Sequence, residues 1–159
     1  MSEGMALVML DERLGFDVVP DLELTPEVLA SQKVVALCGA SAISDAVAEL
    51  LGDWVKSGGG LLATYDSGLY RENGELRRDG GALRDILGVE VTADAPDGQS
   101  DAFYRVTASH PALGGYRQGA MVMGDSMLVP VTPRPGAIVL AECVNVGTGR
   151  GLGPAIVAN

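Results

Sequence analysis

Lys33–Tyr65 reads KVVALCGASAISDAVAELLGDWVKSGGGLLATY, and the fold turns on how that stretch is read. Val34–Leu37 is a short apolar run rich in β-branched residues, suited to a buried strand. Ser41 or Ser44 offers a hydroxyl to an orphan N–H in the first turn of a following helix. Ile43, Val47, Leu50, Leu51, Trp54 and Val55 recur at the spacing of one helical face. Gly58-Gly59-Gly60 ends that helix, because glycine enters the left-handed C-cap conformation without a Cβ penalty. Leu61–Tyr65 is a second apolar strand. Together they make a parallel βαβ unit, whose crossover is expected to be right-handed.

Upstream, Met5–Leu14 is apolar at its start and charged at its end, with Gly15 as a cap. It reads as a helix, although MALVML alone equally suits a short strand. Phe16–Val19 reads as a strand ended by Pro20. In Asp21–Gln32, Thr25 caps a short helix with Pro26 at its first position and Glu27 in its first turn. Downstream, Asn73-Gly74 marks a hairpin turn, and Gly81–Leu87 is a short helix ended by Gly88. Val89–Val91 and Ala102–Thr107 read as strands around the polar stretch Asp94–Asp101. Ser109-His110-Pro111 opens a loop. From Met121 onward the pattern turns to strand, at Ser126–Val131, Ala137–Cys143 and Pro154–Ala158, separated by PRPG and GTGRGLG. No internal repeat is visible.

The totals exclude several classes of function. With 159 residues the chain suits a single domain, able to bury roughly two thirds of the surface its unfolded form exposes. Eleven basic residues face twenty-one acidic ones, for a net charge of −10, so neither nucleic acid nor an anionic membrane is expected as a partner. Two cysteines, Cys38 and Cys143, make no disulfide framework, and no ligand spacing suggests a metal. No cofactor is expected. The N-terminal apolar run has no basic lead and is soon broken by Asp11, Glu12 and Arg13, unlike a signal peptide. A cytoplasmic location is the resulting expectation.

GFDVVPD, LTPEVLASQKVVAL, AVAELLGDWVKSGGGLLATYDSGLYRENGE and GALRDILGVEV, with VTASHPALGGY and GAIVLAE later, carry a resemblance over most of residues 4–142. The chain resembles the glutamine-amidotransferase-like domain attached to bacterial glycoside hydrolases, and most of all the trimerisation domain of family 42 β-galactosidases. The resemblance implies a flavodoxin-like α/β three-layer sandwich: a mostly parallel sheet with antiparallel strands added near the C-terminus. It also implies an opening strand ahead of Met5, central in the sheet, and a closing strand after Asn159. The chain is therefore expected to be a fragment or a shortened relative. An exposed central edge would need cover, and a segment swapped from a second subunit is one candidate.

Candidate chemistry is sparse. Cys38, in LCGAS, sits between a strand and a helix, where a helix N-terminus favours a thiolate. The resembling amidotransferases flank their nucleophile with glycines in G-x-C-x-G, whereas Ala36 and Ala40 stand here, so an inert cysteine is the simpler reading. Their nucleophile also follows the next strand, where this chain has Asp66-Ser67-Gly68. His110 precedes Pro111-Ala112, without the glutamate that orients the ring in those enzymes. Asp66, Ser67 and Tyr70 follow a strand's carboxyl end, a place where open α/β sheets bind ligands. Glu72 and Glu75 beside Arg71, Arg77 and Arg78 read as a solvated hairpin. Gly147–Gly153 joins two strand-like runs, so no helix N-terminus meets a phosphate there.

Two functions remain in view. One is a non-catalytic module serving assembly of a carbohydrate-active protein, as a dimer or trimer or beside a glycoside hydrolase catalytic domain, with the Met-rich MVMGDSML as a candidate contact. The other is a small cysteine-dependent amidase or hydrolase using Cys38 with His110.

Overall fold

The structure is a computed structural model describing residues 2–77, 80–92, 102–124 and 128–159. The chain groups into two compact units, Met1–Leu83 and Arg84–Asn159.

The first unit is built on the βαβ element. Strand β1 (Val34–Cys38) pairs in parallel with β2 (Gly60–Thr64), with Val34 opposite Gly60 and Cys38 opposite Thr64. Two short helices precede it, α1 (Ser2–Asp11) and α2 (Pro26–Ala30), and α3 (Asp45–Lys56) joins the two strands. Ser44 is the cap of α3, its hydroxyl accepting from the Val47 N–H at 3.1 Å. Thr25 caps α2 in the expected way, through the Val28 N–H. Leu51 and Ala48 on α3 are buried with Leu29 of α2, and Ile43, Leu69 and Leu83 complete this core. At the end of α3, Gly58 takes φ +109° and Gly59 lies against the Trp54 ring, so closely that a Cβ there would fall 2.3 Å from a ring carbon.

Two expectations fail in this unit. Phe16–Val19 forms no strand; Val18 is 84% exposed and the segment has no ladder partner among the described residues. A β-branched run becomes a strand only when another edge accepts its backbone. The helix α1 ends before Gly15, because Arg13 takes the left-handed turn at φ 57° and the Leu14 N–H reaches back to the Met9 carbonyl.

The second unit is mostly antiparallel. After the four-residue helix α4 (Arg84–Leu87), strand β3 (Val89–Val91) pairs with β6 (Val131–Pro133). A four-stranded sheet has the order β5 (Met121–Met123), β4 (Ala102–Val106), β7 (Ile138–Asn145), β8 (Gly151–Ala158). Leu140, Ala141 and Cys143 of β7 are its most buried residues. The Gly147–Gly153 loop is a tight turn in which Asn145 Oδ1 accepts from the Thr148 N–H and hydroxyl, and β8 starts at Gly151 rather than at Pro154.

The mostly parallel sheet is thus corrected: among the described residues β1 and β2 are the only strands paired in parallel, beside one isolated parallel bridge between Ala42 and Tyr70, within a mixed α/β chain. A parallel pair needs a crossover of a dozen or more residues. After Leu87 no α-helix is described that could supply one, and the β7–β8 link is a short turn that permits only antiparallel neighbours. Of the expected strand Ser126–Val131, the start at Ser126 lies outside the described residues, as do Asp94–Asp101 and Arg78, and the described strand β6 runs from Val131.

Candidate functional site

The carboxyl ends of β1 and β2 bring Asp66, Ser67 and Tyr70 together with the β1–α3 loop. The Ser67 hydroxyl accepts from the Ala40 N–H at 3.1 Å and lies within donating distance of the Thr64 and Leu37 carbonyls, at 2.8 and 3.0 Å. Asp66 accepts from the Ser41 hydroxyl at 2.7 Å. Tyr70 holds the same loop by its backbone, its N–H donating to the Ser41 carbonyl and its carbonyl accepting from Ile43. These groups clasp two loops to each other. Tyr65, directly after β2, turns the chain at φ 54°, a left-handed conformation that costs a non-glycine residue about 1–2 kcal/mol.

The Asn73-Gly74 turn folds the next segment back, and the Arg77 N–H donates to the Leu69 carbonyl. Its side chain, only 4% exposed, donates to Asp45 at 2.5 Å and to the Ile43 carbonyl at 2.7 Å. Arg77 is therefore no part of a solvated hairpin, although Glu72 and Glu75 are exposed. The hydrogen bond from Arg77, then its charge, holds the Asp45 carboxyl below the usual aspartate range. The two residues are 32 apart in sequence, so no local pattern announces the pair.

Cys38 ends β1 and is partly exposed. It lines a groove of about 300 Å³ whose other sides include Val19, Leu24 and Val28, and whose charged lining residues, among the described residues, are Asp17 and Asp21. The groove runs along β1 from Val35 to Cys38. Lys33 and Leu37 turn their carbonyls toward the β2 side, to the Gly60 N–H and to the Thr64 and Ser67 hydroxyls. Alternation along a parallel strand then directs the N–H and C=O of Val34, Ala36 and Cys38 to the opposite edge.

His110 belongs to the second unit. Its Nδ1 accepts from the Ala112 N–H at 3.2 Å, capping the 3-10 turn Pro111–Leu113. In the same unit, Arg105 pairs with Glu142 across β4 and β7 at 2.8 Å, and Arg134 bonds Asp85, which holds that carboxyl low. Cys143 is fully buried, and burial pushes its thiol up. No group of metal-ligating side chains occurs among the described residues.

No family model and no curated protein sequence matches the chain. Solved structures do. A β-galactosidase from Bacillus circulans sp. alkalophilus aligns at 24% identity and TM-score 0.58, covering 72% of this chain and 16% of that one. A β-galactosidase from Bifidobacterium adolescentis aligns at 21% identity and TM-score 0.53, covering 95% and 71%. A cytoplasmic protein from Salmonella typhimurium aligns at 17% identity and TM-score 0.56, covering 88% and 59%. The likeness is one of fold. A GH42 β-galactosidase, Gan42B, aligns at 18% identity and TM-score 0.57 over 72% of this chain, which again spans only 16% of the matched enzyme. Among the described residues no helix is long and apolar enough to cross a membrane.

Proposed function

We propose that this chain is a non-catalytic, amidotransferase-like module of a carbohydrate-active protein, with a role in assembly rather than in bond cleavage. The observation that carries the reading is the fold shared with β-galactosidase structures, across 95% of this chain for the Bifidobacterium adolescentis enzyme. The arrangement of candidate groups supports it. Ser67 and Asp66 are engaged in clasping loops, and among the described residues the titratable side chains lining the groove beside Cys38 are Asp17 and Asp21, with no histidine. His110, the sole histidine, spends Nδ1 on a turn and has no orienting carboxylate in its sequence neighbourhood.

An assembly role draws on apolar surface. Leu7 and Leu10 of α1 and Leu14 just after it are each more than half exposed, and Leu22 is 92% exposed. Met123, on the edge strand β5, is 80% exposed. The proposed unit is a homo-oligomer, a dimer or trimer, in the cytoplasm. Light scattering on the purified chain tests this: the expected result is a discrete dimer or trimer at micromolar concentration, with no hydrolysis of small amides or esters. A strict monomer at high concentration, or hydrolysis lost in Cys38→Ser, overturns the reading.

A further inference from the structure

We infer that the cleft between α2 and the C-terminal end of α3 is a binding site for a neutral saccharide, with Trp54 as its stacking surface. The cleft has a volume of about 780 Å³ and is lined from within the first unit. Leu29 of α2 and Leu50 of α3 give it an apolar floor, and the half-buried Trp54 lines it beside them. The indole is held in place by Gly59, whose missing side chain admits the ring. A Cβ there would stand 2.3–2.6 Å from three ring atoms, at a backbone angle that needs no glycine. An aromatic surface fixed in this way loses little freedom when a ligand settles on it.

Gln32, Lys33, Asp53 and Ser57 supply the polar part of the lining. Gln32 spends its Nε2 on Ser31, and Ser57 donates its hydroxyl proton to the Trp54 carbonyl, so each keeps an acceptor oxygen. Lys56 bonds Asp53 through Oδ1 at 2.9 Å, which leaves Oδ2. The Lys33 ammonium has no partner among the described residues. The cleft thus offers an ammonium donor and several acceptor oxygens around an aromatic ring. A ligand of a single charge is opposed either way: Asp53 and the net charge of −10 disfavour an anion, and Lys33 disfavours a cation. A wholly apolar ligand would desolvate Lys33 and Asp53 without giving them partners. A sugar ring meets each demand, with hydroxyls that both donate and accept and a face of C–H bonds that lies against the electron-rich face of an indole.

Trp54 is also the reporter, as the single tryptophan of the chain. Lactose and cellobiose are titrated into the intact protein while its emission is followed, with sorbitol, a polyol without a ring, as the control. A saturable change is expected with at least one disaccharide and none with sorbitol. Asp53→Asn and Lys33→Ala, both at exposed positions, are each expected to raise the dissociation constant about fivefold. No saturable change with either disaccharide overturns the inference, as does an equal response to sorbitol, which signals an effect on solvent alone. A saturable change that neither substitution moves also overturns it, because the sugar then binds elsewhere. Light scattering without sugar measures the oligomeric state apart from this titration, so either result stands without the other.

Discussion

Substituting Gly59 by alanine isolates one contact that organises the end of the βαβ helix. A Cβ at Gly59 would stand 2.3–2.6 Å from three atoms of the Trp54 ring, far inside contact distance, whereas its φ needs no glycine. The indole must therefore move. Overpacking of this kind costs about 1–3 kcal/mol, and the less flexible unfolded chain returns about 0.4–1 kcal/mol. Gly59→Ala is expected to destabilise by about 1–2 kcal/mol, a fall of roughly 5 °C in Tm for a chain of this size. Gly58→Ala provides the contrast: its φ of +109° strains alanine, but no atom lies within 4 Å of the added Cβ. Both variants lose stability, but only Gly59→Ala should change the emission of Trp54, the single tryptophan. Chemical denaturation followed by fluorescence reads both quantities. Native stability together with unchanged emission in Gly59→Ala would refute the packing of Trp54 over Gly59.

Ser67→Ala removes the hydroxyl shared by Ala40, Thr64 and Leu37, and a loss of about 1–2 kcal/mol is expected in urea unfolding. Leu51→Ala empties a site that is 0% exposed and is expected to cost about 3 kcal/mol by the same assay, with a loss below 1 kcal/mol excluding a packed core there. The Asp45 carboxyl is held low in the folded state, so its contribution is complete above the ordinary aspartate value near pH 3.9 and is lost as pH falls through the lower folded value. Stability measured against pH should therefore lose part of its acid dependence in Asp45→Asn; identical profiles would show that Arg77 does not bond this carboxylate. Cys38 is expected to alkylate in the folded protein and Cys143 only on unfolding, since Cys143 is buried and its thiol is raised; mass spectrometry of the labelled cysteines distinguishes them.

Within this chain, what the sequence determined by itself is local. Thr25 and Ser44 cap helices, Gly58 and Gly74 turn the backbone, and the α3 periodicity faces Leu51 inward, because each depends on residues only a few positions apart. The parallel pairing of β1 with β2 was legible for the same reason: a strand, a capped helix and a glycine stop leave one right-handed way back to the sheet. A likeness of fold to β-galactosidase structures was legible too.

Other features were decided by groups distant in sequence. Phe16–Val19 has the composition of a strand but not a neighbour to pair with, so its residues stay exposed. Arg77 and Asp45 meet across 32 residues, and Ser67 reaches Ala40 across 27; side-chain identity alone could not distinguish a buried arginine paired with a surface aspartate from a solvated hairpin, or a loop clasp from a ligand site. The pairing of β1 with β2 alone, among the described residues, was decided in the same way. Periodicity states that a strand exists, whereas the number of its neighbours depends on which backbones arrive beside it, and that is a property of the tertiary structure.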